Sequence, residues 1–188
     1  MPFAPDWPLE TERLLLRSYR EDDFALLYAM QSDADVVRWL YEEPRDEEEA
    51  RALLGRKIAG TELAAEDDWL SAVVTLRATG EAVGDVAFHW VSVEHRTGEI
   101  GYMFHPAHQG RGYATEAARP LLDFAFGEMQ LHRVIGRTEA RNLGSARVLE
   151  KLGMRLEAHL VENEFVKGEW QSELVYAVLA DEWLGAAG

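Results

Sequence analysis

A chain of 188 residues, 47% hydrophobic and 28% charged, has the length of one domain and the composition of a folded one, which excludes disordered and collagen-like classes. It contains no cysteine, which excludes disulfides, thiolate zinc sites and cysteine nucleophiles and makes a reducing cytoplasm its natural compartment. A net charge of −15, from 34 acidic and 19 basic residues, opposes docking on a phosphate backbone, so no nucleic acid partner is expected; it would attract a cationic partner, although an acidic surface also serves solubility.

The first residues, Met1 to Pro8, carry neither a basic region nor an apolar run of signal-peptide length, and nothing in them directs export. The longest apolar stretch, Leu174 to Ala180, is far shorter than the roughly 20 residues of a membrane-spanning helix, so no membrane partner is expected either. Leu14-Leu-Leu-Arg-Ser reads as a short strand. Glu21-Asp-Asp ahead of Phe24, Leu26, Leu27 and Met30 then reads as an acid-capped amphipathic helix. The acidic run from Glu42 to Glu49 reads as the solvated start of a helix carrying Ala50, Leu53, Leu54 and Ile58, with acids where the helix dipole favours them.

Trp69 to Leu76, Ala82 to Val93 and Thr97 to Phe104 form a strand meander, joined by turns at Thr79-Gly80-Glu81 and His95 to Gly98. Tyr113 to Met129 has helical spacing despite Pro120, which is expected to kink it. His132 to Thr138 is a strand, Ser145 to Leu152 a helix closed by Gly153, and Met154 to Leu160 a strand. Lys167-Gly168 is a hairpin turn into a last strand from Trp170 to Leu179. Adjacent strands together with strand-helix-strand crossings predict one α/β (α+β) domain over 1–188, its core from about 11 to 180: a mixed sheet with helices on both faces.

The chemistry concentrates where the strand Glu99 to Phe104 runs through Gln109-Gly110-Arg111-Gly112-Tyr113-Ala114 into a helix. Glycines at a helix mouth let backbone approach a ligand, and the N–H groups of the first turn point at an anion such as a pyrophosphate. A P-loop needs Gly-Lys-Ser/Thr, which is absent, and a dinucleotide fingerprint would need glycine at Thr115 and an earlier strand. A turn that merely joins strand to helix is the remaining alternative. His105-Pro-Ala-His108 has no carboxylate triad or cysteine beside it, so no metal is expected. Glu116, inside the helix, reads as a structural ion pair, and Trp39, Trp69, Trp90 and Trp170 as core or pocket wall.

Gln109 to Ala114 resembles the Gln/Arg-X-X-Gly-X-Gly/Ala motif with which GNAT superfamily enzymes bind the pyrophosphate of acetyl-CoA. Thr11-Glu-Arg-Leu-Leu-Leu-Arg17 is similar to the opening strand of the RimJ/RimL-type branch. Leu131 to Val134 followed by Asn142-Leu-Gly-Ser145-Ala-Arg-Val-Leu-Glu-Lys151-Leu-Gly-Met154 is similar to that branch's second cofactor segment. The resemblance implies a mostly antiparallel sheet of about seven strands, splayed between the fourth and fifth. Pantetheine would pair with the open edge through the backbone of Met103 and Phe104, as an added strand would. It implies cofactor contacts from Gln109, Gly110, Arg111, Gly112, Tyr113, Ala114, Asn142 and Ser145, with a backbone N–H near the bulge for the thioester oxyanion.

It further implies Glu99 as the base that takes the amine proton, the alternative being a strand glutamate facing solvent or a basic neighbour. Ser145 would be the acid or hydrogen-bond donor to the leaving thiolate, the alternative being a residue that satisfies N–H groups at a helix start. No tyrosine stands between Asn142 and Met154, where many GNAT enzymes outside this branch place their acid, and Gln171-Ser172-Glu173 follows Trp170 where an aspartate is common. The function implied is acetyl transfer from acetyl-CoA to a primary amine by direct attack in a ternary complex, with no metal and no covalent enzyme intermediate, by a cytoplasmic monomer or homodimer. The acceptor is a protein N-terminus or a small amine such as an aminoglycoside or polyamine. An α-amine with pKa near 7.7–8.0 is the easier of these, because deprotonating a lysine-type amine at pH 7 costs about 4.6 kcal/mol. The competing class is a regulatory module that binds acyl-CoA without turnover.

Overall fold

Alternation along one strand decides the architecture. In a computed structural model, which describes residues 2–185, the strand β3 (Trp69–Leu76) sends Leu70, Ala72 and Val74 into one apolar cluster and Val73 into another. Period-two geometry puts those clusters on opposite faces of a sheet. One face carries α1 (Phe24–Gln31) and α3 (Glu47–Ala59), whose Leu27 and Leu54 meet Val73. The other carries α4 (Tyr113–Gly127) and α5 (Leu143–Lys151), whose Leu121, Leu122 and Leu149 join Phe88 and Ile100 in the main core. The short α2 (Ala34–Val37) follows α1.

The sheet also contains β1 (Leu9–Glu10), β2 (Leu14–Ser18), β4 (Ala82–Ser92), β5 (Thr97–Phe104), β6 (Arg133–Glu139), β7 (Arg155–Val166) and β8 (Glu169–Leu179), in the order β1-β2-β3-β4-β5-β6-β8-β7. Every neighbouring pair is antiparallel except β5 and β6. Those two pair in parallel only from Thr97–Arg133 to Glu99–Ile135. Beyond that point the sheet opens, and among the described residues β5 from Ile100 to Phe104 has no strand partner on that side. This is the splay the family resemblance implies.

Four boundaries differ from the sequence expectation. An eighth strand exists because Leu9 and Glu10 fold back on Leu16 and Leu15. β7 does not stop at Leu160 but passes a bulge and runs to Val166, so the hairpin with β8 projects further. The helix expected to begin at Ser145 begins at Leu143, with Asn142 as its cap. The chain adds α6 (Ala180–Gly185), whose Trp183 donates to Asp123 of α4 at 2.8 Å. The acidic run resolves into a reciprocal cap, Asp46 accepting from Glu49 N–H at 2.9 Å and Glu49 from Asp46 N–H at 3.0 Å. Among the described residues no helix is long and apolar enough to cross a membrane.

Gly136 fixes how closely α5 approaches the sheet. A Cβ there would lie 2.4 Å from Leu149 Cδ2, so only glycine lets this helix lie against β6 and bring its first turn to the mouth of the split.

Candidate active site

The split in the sheet separates two cavities that meet across it. A cleft of about 850 Å³ lies on the α4/α5 side and a cavity of about 800 Å³ on the α1/α3 side. Both are lined by Gly101, Tyr102 and Met103 of β5, Arg137 and Thr138 of β6, and Trp39 and Leu40 above them. Their charges are opposite. The cleft is lined by Arg38, Arg137, Arg147 and Lys151 against the single carboxylate of Asp35. The cavity is lined by the carboxylates of Glu42, Asp85, Glu99, Glu139, Glu164 and Glu173 against Arg45, Arg56, Lys57 and Arg137.

The cleft is built around the glycine turn. Gly110 and Gly112 have φ of +74° and +82°, the left-handed region where a side chain is strained. The first backbone bond of α4 runs from Glu116 N–H to the Gly112 carbonyl at 3.1 Å, so the N–H groups of Tyr113, Ala114 and Thr115 have no acceptor within the helix and face an anion site. Gln109 donates through Nε2 to the Phe104 carbonyl at 2.9 Å; its side chain shapes the turn by tying it to the end of β5. Glu116 anchors the turn from behind. It accepts from Thr11 Oγ1 at 2.6 Å, from Arg13 N–H at 2.8 Å and from Arg13 Nε at 2.7 Å, while Arg13 also donates to the Arg111 carbonyl at 3.1 Å. Burial pushes the Glu116 carboxyl upward, but these bonds from Thr11 and Arg13 outweigh it and hold the group below the usual carboxylate range.

Of the residues that the resemblance implies for cofactor contact, Met103, Phe104, Gln109, Gly110, Gly112, Tyr113, Ala114, Asn142 and Ser145 all line the cleft. Arg111 does not: it is exposed and is not part of the cleft wall, and its carbonyl accepts from Arg13 behind the turn. The cations facing the cleft, besides Arg137, are Arg147 and Lys151 of α5, spaced one turn apart, and Arg38. Helical spacing from the Asn142 cap could have revealed the first two.

Asn142 Oδ1 accepts from Ser145 N–H at 3.1 Å, so Asn142 caps the helix and Ser145 is released from that role. The Ser145 hydroxyl lies 3.0 Å from the Tyr102 hydroxyl, which is also 3.0 Å from the Ser145 carbonyl. Tyr102 has one proton for these two acceptors, so the pair can be arranged with either hydroxyl donating to the other. Burial pushes the Tyr102 hydroxyl well above its usual range, with the Ser145 bond opposing, which keeps it protonated. Tyr102 was not singled out from the sequence, although the alternation that aims Glu99 one way aims Ile100, Tyr102 and Phe104 toward the helix side.

Glu99 lies in the other compartment. Both its oxygens are held by Arg137, at 2.7 Å from Nη2 and 3.2 Å from Nε, and its side chain is 15% exposed. Glu99 and Ser145 therefore do not share a cavity; Tyr102 and Thr138 stand between them. The floor of the acidic cavity is a buried network in which Asp85 Oδ2 accepts from Tyr19 at 2.6 Å and Lys57 at 2.7 Å, and Lys57 also donates to Ser71 at 3.2 Å. Its roof is drawn together from two directions, by Lys167 donating to the Val37 carbonyl at 2.7 Å and Tyr41 donating to Glu173 at 3.2 Å.

Trp39 and Trp69 line this cavity and Trp90 is core. Trp170 is neither core nor wall; it is 58% exposed and packs edge-on against Phe165 at the hairpin. Among the described residues no group of three or more metal-ligating side chains converges, and His108 faces Glu81 at 3.1 Å.

The chain is similar in sequence and fold to known proteins. A family model described as an acetyltransferase (GNAT) domain matches residues 13–155. The uncharacterized N-acetyltransferase YnaD of Bacillus subtilis is 35% identical over 93% of this chain and 98% of its own. A spermidine N(1)-acetyltransferase of Vibrio cholerae is 24% identical over 92% of this chain and 96% of its own. Among solved structures, a GNAT-family acetyltransferase from Bacillus anthracis superposes with a TM-score of 0.83 at 34% identity, covering 93% of this chain and 99% of that one. The Vibrio cholerae spermidine N-acetyltransferase in complex with CoA and spermine shares the fold, with a TM-score of 0.79 at 23% identity over 93% of this chain and 99% of its own.

Proposed function

This chain belongs to the GNAT family of acetyltransferases, and from that premise we propose that it transfers the acetyl group of acetyl-CoA to a small cationic primary amine by direct attack in a ternary complex. The donor occupies the basic cleft and the acceptor the acidic cavity. The observation that carries this reading is the meeting of two oppositely charged cavities at one opening in the sheet.

The cleft suits the donor on three counts: unpartnered N–H groups at the α4 mouth for the pyrophosphate, Arg147 and Lys151 for its charge, and an open β5 edge for the amides of pantetheine. When bound, acetyl-CoA supplies a thioester carbonyl and a thiol leaving group. Ser145, backed by Tyr102, supplies a hydroxyl proton toward the sulfur side, and the cavity holds and deprotonates the amine. The RimJ/RimL-type branch stays part of the proposal on two segments, Thr11 to Arg17, whose Thr11 and Arg13 brace the turn, and Asn142 to Met154, whose Asn142 caps α5.

A cavity of this volume, roofed from two sides, has the size of a small-molecule site. Its carboxylates favour a polyamine-type acceptor, and relatives named for spermidine support that class. A protein N-terminal amine is the second reading, favoured by its lower pKa. A panel of amines, with released CoA as the readout, tests both. Release with polyamines ahead of peptides supports the first reading, release with peptides ahead supports the second, and tight acetyl-CoA binding without release for any amine favours a non-catalytic module.

A further inference from the structure

Two carboxylates lining the acidic cavity are held differently. Glu99 is tied through both oxygens to Arg137. Glu173 has no cation within 4 Å among the described residues, and its side chain takes one hydrogen bond, from the Tyr41 hydroxyl. The strand register adds a second difference. Glu99 pairs with Ile135, at the last rung before the split opens. Continuing that parallel register sets Tyr102 level with Thr138 and Met103 level with Glu139, and Glu139 pairs across β6–β8 with Glu173. Glu173 therefore stands at the height of the Tyr102–Ser145 couple, whereas Glu99 lies three residues lower on its strand, roughly 10 Å at about 3.3 Å per residue. Residues opposite one another in an antiparallel ladder share a face. Arg137, Glu139, Glu173 and Val175 thus share one face of the sheet, and Glu139 and Glu173 line the cavity there.

We propose that Glu173, rather than Glu99, is the base that takes the proton of the acceptor amine, with Tyr41 positioning it and Arg137 a nearby cation beyond contact distance. This rests on the acetyl-transfer reading above. Of the two protons that an ammonium loses on becoming an amide, one passes to the Glu173 carboxylate and on to solvent. The freed lone pair forms the C–N bond as the C–S bond breaks with its electrons on sulfur, and the second proton ends on that sulfur from the Ser145 side. Glu99 holds Arg137 in place as a positioning residue.

The groups facing Glu173 are Arg137 and Glu139 on β6, Glu164 on β7, Glu99 on β5 and Tyr41 on the roof, with Glu139 itself turned to Arg141. Burial pushes the Glu173 carboxyl up, Arg137 and the Tyr41 bond pull it down, and Glu164 and Glu99 push it up again, for a net rise. The basic form is present above that raised pKa and is lost as pH falls through it, at a higher pH than for an ordinary carboxylate.

The test is the pH profile of kcat and kcat/KM for CoA release, using a polyamine whose own titration lies near 10, with acetyl-CoA affinity measured alongside. E173Q should lower kcat roughly 10²–10⁴-fold, the range of general-base catalysis, erase the acid-side limb and leave acetyl-CoA affinity unchanged. E173D should retain the limb at a reduced rate, and E99Q should keep it as well. An E173Q enzyme with the wild-type rate and limb, or an E99Q enzyme that alone loses the limb, overturns the assignment while leaving acetyl transfer intact. Absence of CoA release by wild type with every amine overturns the transfer reading and this proposal together.

Discussion

The basic cleft and the acidic cavity share a wall but are built in different ways. The cleft is made mostly of backbone: a turn held by glycines, a helix mouth and an open strand edge, with side chains such as Gln109 and Glu116 spent on holding that backbone still. The cavity is made of side chains brought from distant segments, among them Lys57, Asp85, Glu99, Arg137 and Glu173. A backbone site binds a chemical group common to a family, because any residue supplies N–H and C=O groups. A side-chain site can be respecified one residue at a time, so the cleft speaks for the donor and the cavity for the acceptor.

The sharpest way to break that contrast is in the turn. Gly112→Val places a β-branched residue at φ +82°, with its Cβ 3.5 Å from Arg13, a strain of about 1–3 kcal/mol. Acetyl-CoA affinity, measured by calorimetry, should fall by about 10–100-fold. Unchanged affinity in a folded variant would show that the turn is not the donor site. Next in size is the pair that spans the boundary. Tyr102→Phe and Ser145→Ala should each lower kcat by about 10–50-fold with little change in acetyl-CoA affinity. Because the two hydroxyls act as one unit, the double variant should be little worse than either single one. Fully additive losses would mean that they act separately.

The same contrast explains what was legible in the sequence. Gln109 to Ala114 is contiguous, and its glycines have one physical meaning, so the turn and most of the cleft lining could be read directly. The splay was implied by resemblance, and its consequence, that Glu99 and Ser145 face different compartments, requires the register of β5 against β6. Asn142 and Ser145 are both capping types three residues apart; only the observed Asn142 Oδ1 bond decides between them. Arg111 stands in the motif, yet what the structure shows it contributing is its carbonyl, which accepts from Arg13, while its side chain is exposed. Tyr102 gave no local signal of function and Glu173 stood only in a departure from the family's usual aspartate, because what they touch comes from residues 43 and 132 positions away in the chain. The extension of β7 from Val161 to Val166 and the helix α6 were missed because such short segments, mixing polar and apolar residues, carry too little periodicity.

Two smaller effects sharpen the picture on the cleft side. Glu116→Gln should destabilise the protein by about 1.5–3 kcal/mol at neutral pH, the worth of a hydrogen bond to a charged group. The Glu116 carboxyl is lowered in the folded state, so its stabilisation is fully present above the ordinary carboxylate pKa and is lost as pH falls through the folded value. The difference in Tm between wild type and Glu116→Gln should therefore narrow on acidification below about pH 4.5, and a difference that widens there would contradict the assignment. Smallest are the cations of the cleft. Arg147→Ala and Lys151→Ala should each weaken acetyl-CoA binding by about 3–5-fold at low salt, shrinking as salt rises, whereas Arg111→Ala should change it less than about 2-fold. The reverse ranking would return the phosphate contact to Arg111.

On the proposed function, donor and acceptor sit together in two cavities joined through the split, so that the amine attacks the donor directly. Initial rates of CoA release, with acetyl-CoA and a primary amine varied together, test it most directly. A ternary complex predicts double-reciprocal lines that intersect, whereas parallel lines, the mark of a covalent acetyl-enzyme, would contradict it.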